Sequence, residues 1–129
     1  MTTVFFPLFE WLLGADHQDT LHPYTISSRN NLAMSHLAAG RRAKAIRLYE
    51  RTLADCERAL GADHPYTFRA RNNLAMSYRA AGRTAEAIPL LERTLTDCKR
   101  VLRADHPDTK AVRENLAALT GEPERHRHI

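Results

Sequence analysis

HPYTFRARNNLAMSYRAAGRTAEAIPLLERTLTDCKRVLRAD, residues 64–105, repeats HPYTISSRNNLAMSHLAAGRRAKAIRLYERTLADCERALGAD, residues 22–63, with identity at 29 of 42 positions and no gap. A third copy opens at His106-Pro107 and keeps Thr109, Arg113, Asn115, Leu116 and Ala117 in register. Self-similarity at a period of this size marks a stacked array, in which each unit covers the apolar face of its neighbour.

The helix signals within one copy are explicit. His64-Pro65 sets a proline in the first helical turn, where its missing donor is harmless, with Asp63 or His64 available to cap. Ala70, Leu74, Ala75, Tyr78 and Ala81 then fall at three- and four-residue steps, one face of a helix. Gly82 ends that helix because it takes a left-handed conformation at no steric cost. From about Arg83 a second helix carries Ala87, Ile88, Leu91, Leu95, Cys98 and Leu102 as its stripe. The first copy reads likewise, with Gly40 as the break and Ala45, Ile46, Leu48, Leu53 and Leu60 beyond it. Each unit is a helical hairpin, and the predicted fold is all-α: a solenoid of antiparallel hairpins with two full repeats and a partial repeat at each end.

Working outward, residues 1–21 are expected to form an N-terminal partial repeat and apolar cap. Phe6-Pro7-Leu8-Phe9-Glu10 resembles Ile88-Pro89-Leu90-Leu91-Glu92, and Leu13-Gly14-Ala15-Asp16-His17 resembles Leu60-Gly61-Ala62-Asp63-His64. The two repeats occupy 22–63 and 64–105. A half repeat follows over 106–121, its helix running from about Asp108 to Leu119 and stopping at Thr120-Gly121. Residues 122–129 are polar and expected to fray.

Composition agrees with close helix packing. Of the 129 residues 43% are apolar and only 7% aromatic, so the core rests on Ala, Leu and Ile. Cys56 and Cys98 sit one period apart, and neighbouring stacked units lie roughly 10 Å apart. That exceeds what a disulfide spans, so both read as reduced thiols. The formal net charge is +4, and only Lys44, Lys99 and Lys110 among the 19 basic side chains are lysines. The apolar opening Val4-Phe5-Phe6-Pro7-Leu8-Phe9 has no basic leader and meets Glu10 too soon for a signal or a spanning helix. A cytoplasmic protein without a membrane segment is the default.

The order Arg-Asn-Asn-Leu-Ala, then Ala-Ala-Gly-Arg, Ala-x-Ala-Ile and Glu-Arg-Thr-Leu resembles the tetratricopeptide repeat in its long, 42-residue variety, over about residues 22–119. That variety occurs in kinesin light chains and many bacterial regulatory proteins. Two departures stand out. Arg29, Arg71 and Arg113 replace the bulky residue that opens the family's first-helix packing face, and His36 stands in copy one where Tyr78 stands in copy two. The resemblance implies a protein-binding scaffold in which first helices line a concave groove for an extended peptide or partner helix. Carried over residue by residue, the groove positions are Asn30, Met34 and Leu37 in copy one, Arg69, Asn72, Met76 and Arg79 in copy two, and Glu114 with Ala118 in the third helix. An Asn amide can pair with any extended backbone, Met adapts to varied side chains, and Arg69 and Arg79 favour an acidic segment or a terminal carboxylate.

Blander readings stand beside these. Asn31, Asn73 and Asn115 match a family position that stabilises the hairpin. Asn30 and Asn72 either contact a ligand or are simply solvated, Met34 and Met76 serve packing or recognition, and Arg69 and Arg79 can be ordinary surface charges. His22, His64 and His106 recur beside proline, which favours capping over metal binding. His126 and His128 lack a third ligand for zinc. No phosphate loop, HExxH, CxxC or GxSxG is present, so neither catalysis nor a cofactor is expected. Two further readings remain. One is homo-oligomerisation through residues 4–13 or the C-terminal helix. The other, less favoured, is nucleic-acid binding by a basic helical surface.

Overall fold

A computed structural model describes residues 23–121. Within them lie five helices: α1 (Pro23–Ala38), α2 (Arg42–Leu60), α3 (Pro65–Ala80), α4 (Thr84–Leu102) and α5 (Pro107–Thr120). Each packs against the helices before and after it in the chain, and α3 also touches α5. The described residues contain no strand. The all-α solenoid read from the repeat is the observed fold, whereas the expected cap over residues 1–21 and tail over 122–129 lie outside the described residues.

Local chemistry sets the helix limits. His64 and His106 adopt extended backbone, and their Nδ1 atoms accept from the backbone N–H of Tyr66 and Asp108, each at 3.0 Å. Pro65 and Pro107 follow in the first turn, so the two loops are capped alike. Asp63, the other cap candidate, instead accepts from Arg100 Nη2 at 3.0 Å. At the hairpin turns Gly40 and Gly82 have φ of 81° and 79°, in the left-handed region that glycine occupies without penalty. Glycine therefore closes the first helix of both hairpins, as the sequence predicts.

The inter-hairpin loops differ in one respect. Gly61 ends α2 with φ 95° and ψ 160°, and Arg103 ends α4 with φ 83° and ψ 160°. That region is tolerated essentially by glycine alone. One copy has glycine there and the other an arginine in the same backbone conformation.

The core runs between the helices as a continuous seam. Ala33, Ala45, Ile46, Tyr49 and Leu74 form one buried cluster across α1, α2 and α3. Phe68, Ala75, Ala87, Leu91, Cys98 and Val112 form another across α3, α4 and α5. Leu74 is only 4% exposed because α2 covers it, while its counterpart Leu32 on α1 is 48% exposed. Cys56 and Cys98 are buried free thiols in different clusters, and burial pushes them up to about 12 and about 11.

Several buried positions lie outside the apolar stripes. Among them are the apolar residues Phe68, Tyr49 and Cys56. Thr52 and Thr94 are buried too, because each hydroxyl donates to the carbonyl four residues back, Leu48 at 2.9 Å and Leu90 at 2.7 Å.

Candidate functional site: the face of the first helices

Two of the arginines that depart from the family pattern, Arg29 and Arg71, are structural clamps. Arg71 is 1% exposed; its Nη1 donates to Asp97 at 2.8 Å and its Nη2 to the Ala62 carbonyl at 3.0 Å, and the guanidinium stacks on Phe68. Arg29 pairs with Asp55 in the first hairpin, and both pairs are separated by 26 residues. Burial alone would raise the Asp55 and Asp97 carboxyls, but hydrogen bonds from Arg29 with Arg58, and from Arg71 with Arg100, hold them below the usual carboxylate range. The packing is therefore ionic and hydrogen-bonded where a bulky apolar residue would otherwise sit.

Along the first helices the paired asparagines form a ladder. Asn73 Nδ2 donates to Asn30 Oδ1 at 3.0 Å, and Asn115 Nδ2 donates to Asn72 Oδ1 at 2.8 Å. Each rung spans 43 residues, one more than the repeat, so the second Asn of one copy reaches the first Asn of the copy before it. Asn73 and Asn115 thus stabilise the junction between hairpins. Asn30 and Asn72 are part of the same struts, and they keep the Nδ2 groups for other use; that of Asn30 faces Met34 Sδ at 3.8 Å.

The other named positions are distributed around this ladder. Met34 is 55% exposed, while Leu37 and Met76 are half-buried against the core. Arg79 and Glu114 are exposed and carry no ion pair or hydrogen bond of their side chains among the described residues; Ala118 is exposed beside them. Arg69 differs. Its Nε and Nη2 donate to Asp108 at 3.0 and 3.4 Å, and it lies over the Tyr66 ring. It ties α3 to the first turn of α5, so among the candidate cations Arg79 alone stands without such a tether.

Flanking the turn, Tyr78 donates from its hydroxyl to Glu50 at 3.0 Å, and Arg83 stacks on its ring while bonding Glu86 at 2.7 Å twice. In copy one, Arg41 Nε donates to His36 Nδ1 at 3.0 Å. An arginine therefore meets the ring of the preceding helix in both copies, stacking on Tyr78 in one and hydrogen-bonding to His36 in the other. No described helix is long and apolar enough to cross a membrane.

The tetratricopeptide repeat family model matches residues 24–100 and 66–128. Two solved structures of a Podosopora anserina kinesin light chain with nearly identical TPR-like repeats are similar to this chain. One has 30% identity and a TM-score of 0.72 over 78% of this chain and 47% of its own. The other, a point variant, has 26% identity and a TM-score of 0.70 over 94% of this chain and 56% of its own. The chain thus spans about half the length of these structures. No curated protein matches it. A 42-residue period, alternating hairpin helices and the matching family model agree: the chain belongs to the tetratricopeptide repeat family, in its kinesin-light-chain-like variety.

Proposed function

We propose that this protein is a non-enzymatic interaction module whose first-helix face binds an extended peptide segment of a protein partner. Tetratricopeptide repeats generally mediate protein–protein interaction, which supplies the general class. The single observation that carries the finer reading is the asparagine ladder. Because the Oδ1 of Asn30 and that of Asn72 already accept from Asn73 and Asn115, their Nδ2 donors are turned to a ligand, and a peptide backbone meets them with its carbonyls. Arg79 adds a further donor with full charge. The partner is thus a segment rich in acceptors, with a carboxylate toward Arg79 and away from Glu114. Met34, Leu37 and Met76 supply adaptable apolar contact beside these polar groups.

Charge pairing weakens the case for nucleic-acid binding. Among the described residues Arg29, Arg58, Arg69, Arg71, Arg83 and Arg100 each hold a carboxylate, so part of the Arg-rich composition is already matched within the chain. Two buried free thiols suit a reducing compartment, and a cytoplasmic location is part of the proposal. The experiment is a peptide array scored against the wild-type chain and Arg79→Glu. Acidic hits that vanish or reverse in the variant, whose thermal midpoint is unchanged, support the reading. Hits that do not depend on the sign at residue 79 sink it.

A further inference from the structure

Three arginines occupy one place in successive copies, and two of them have found a carboxylate. Arg29 holds Asp55, and Arg71 holds Asp97 while donating to the Ala62 carbonyl nine residues earlier. Arg113 makes the second of those contacts in the same way: its Nη2 donates to the Ala104 carbonyl, also nine residues earlier, at 2.9 Å. Its guanidinium is thus set in position, and no ion pair holds it among the described residues.

A second group on the same loop is equally unmatched. Asp63, between α2 and α3, accepts both Nη groups of Arg100, at 3.2 and 3.0 Å. Asp105 is its counterpart between α4 and α5; it is exposed and holds no such arginine among the described residues. Arg100 itself lies three residues after Asp97, so the covering helix presents Asp-x-x-Arg to an arginine and an aspartate on the hairpin it closes. Arg113 on α5 and Asp105 in the loop before it repeat that arginine and that aspartate. Next to them stands Lys110, exposed, where Ile26 and Phe68 are buried in the earlier copies.

We infer that the α5 end is a docking surface for an amphipathic helix carrying Asp-x-x-Arg, its carboxylate meeting Arg113 and its guanidinium meeting Asp105. Charge complementarity supports this, together with continuity of contacts the protein already makes: the arginine–aspartate pair occurs twice, as Arg29 with Asp55 and Arg71 with Asp97, and the loop aspartate pairs with the helix arginine once, as Asp63 with Arg100. Partially buried pairs of this kind fix register and orientation more than they add affinity. The site is separate from the proposed peptide groove and does not rest on that reading.

The probe is a fluorescein-labelled peptide of residues 84–102, titrated into the full chain by fluorescence anisotropy, with an Asp97→Asn version of the peptide as its partner. Saturable binding is expected, weakened roughly tenfold by Asp97→Asn in the peptide or by Arg113→Ala in the chain, and by little more when both are present, the signature of a direct pair. Arg113→Ala also loses the bond to Ala104, so Asp105→Asn serves as the second variant: it changes an exposed residue and is expected to weaken the wild-type peptide severalfold but not an Arg100→Ala peptide. Absence of saturable binding overturns the inference. So does binding that ignores both Asp97→Asn and Asp105→Asn, which would mark a merely sticky helix.

Discussion

Replacing Arg103 by glycine is expected to stabilise the protein, although it removes a large side chain and adds chain entropy. At φ 83° and ψ 160° Arg103 occupies backbone space that costs a non-glycine residue about 1–3 kcal/mol. Glycine gives back roughly 0.5–1 kcal/mol of that by its greater freedom in the unfolded state. The net gain is then about 0.5–2 kcal/mol, and for a chain of this size each kcal/mol moves the thermal midpoint by roughly 3–6 °C. The Arg103 side chain is exposed and makes no ion pair among the described residues, so little is lost with it. Gly61→Arg is the reciprocal change, since Gly61 has φ 95° and ψ 160°. It should cost a similar amount. The assay is thermal unfolding followed by circular dichroism at 222 nm (a standard helix signal), with urea midpoints as a second measure. Arg103→Gly with an unchanged or lowered midpoint, together with a harmless Gly61→Arg, would refute the strain argument.

Leu74→Ala is expected to cost about 2–5 kcal/mol, as a core truncation against Ala33, Ala45, Ile46 and Tyr49, whereas Leu32→Ala at the same place in copy one should cost under about 1 kcal/mol because nearly half of that side chain is already exposed; equal urea midpoints for the two would contradict the packing described. Stability should also fall with acid. Burial, then the charge of Arg69, lowers the His64 pKa below its ordinary value of 6.5, so the folded state resists protonation more than the unfolded chain, and stability is full above about 6.5 and lost as pH drops through the depressed value. His64→Asn keeps a capping acceptor and should flatten that part of the profile; a variant whose urea midpoint still drops as in wild type between pH 7 and 5 would remove His64 as the cause.

The repeat, the helix limits and the turn glycines were legible because each depends on residues close in sequence. His-Pro caps, Gly40 and Gly82 act within a few residues, and a period of 42 displays them twice. The sequence places Arg71 on the packing face but does not reveal its ion pair, since an isolated arginine gives no hint of its partners. The hint lay in a comparison across the copies: Arg29 and Asp55 recur as Arg71 and Asp97 at the same 26-residue separation. The groove candidates were only partly legible. Asn30, Asn72, Met34 and Arg79 do lie on the first helices, but that Arg69 would be tied to Asp108, 39 residues away, depends on how one hairpin is rotated against the next. Nor does the sequence reveal that the asparagines cross-link at 43 residues, because that one-residue excess belongs to the superhelix.

That excess gives the asparagine struts a sense of direction. Every strut runs from a later hairpin to an earlier one, with the later amide giving the proton. A unit spliced in front must bring only a receiving oxygen, and one spliced behind only a giving nitrogen. Residues 64–105 contain both, Asn72 and Asn73 side by side, so tandem duplication of this segment would lengthen the rod with each seam braced and no new side chain invented.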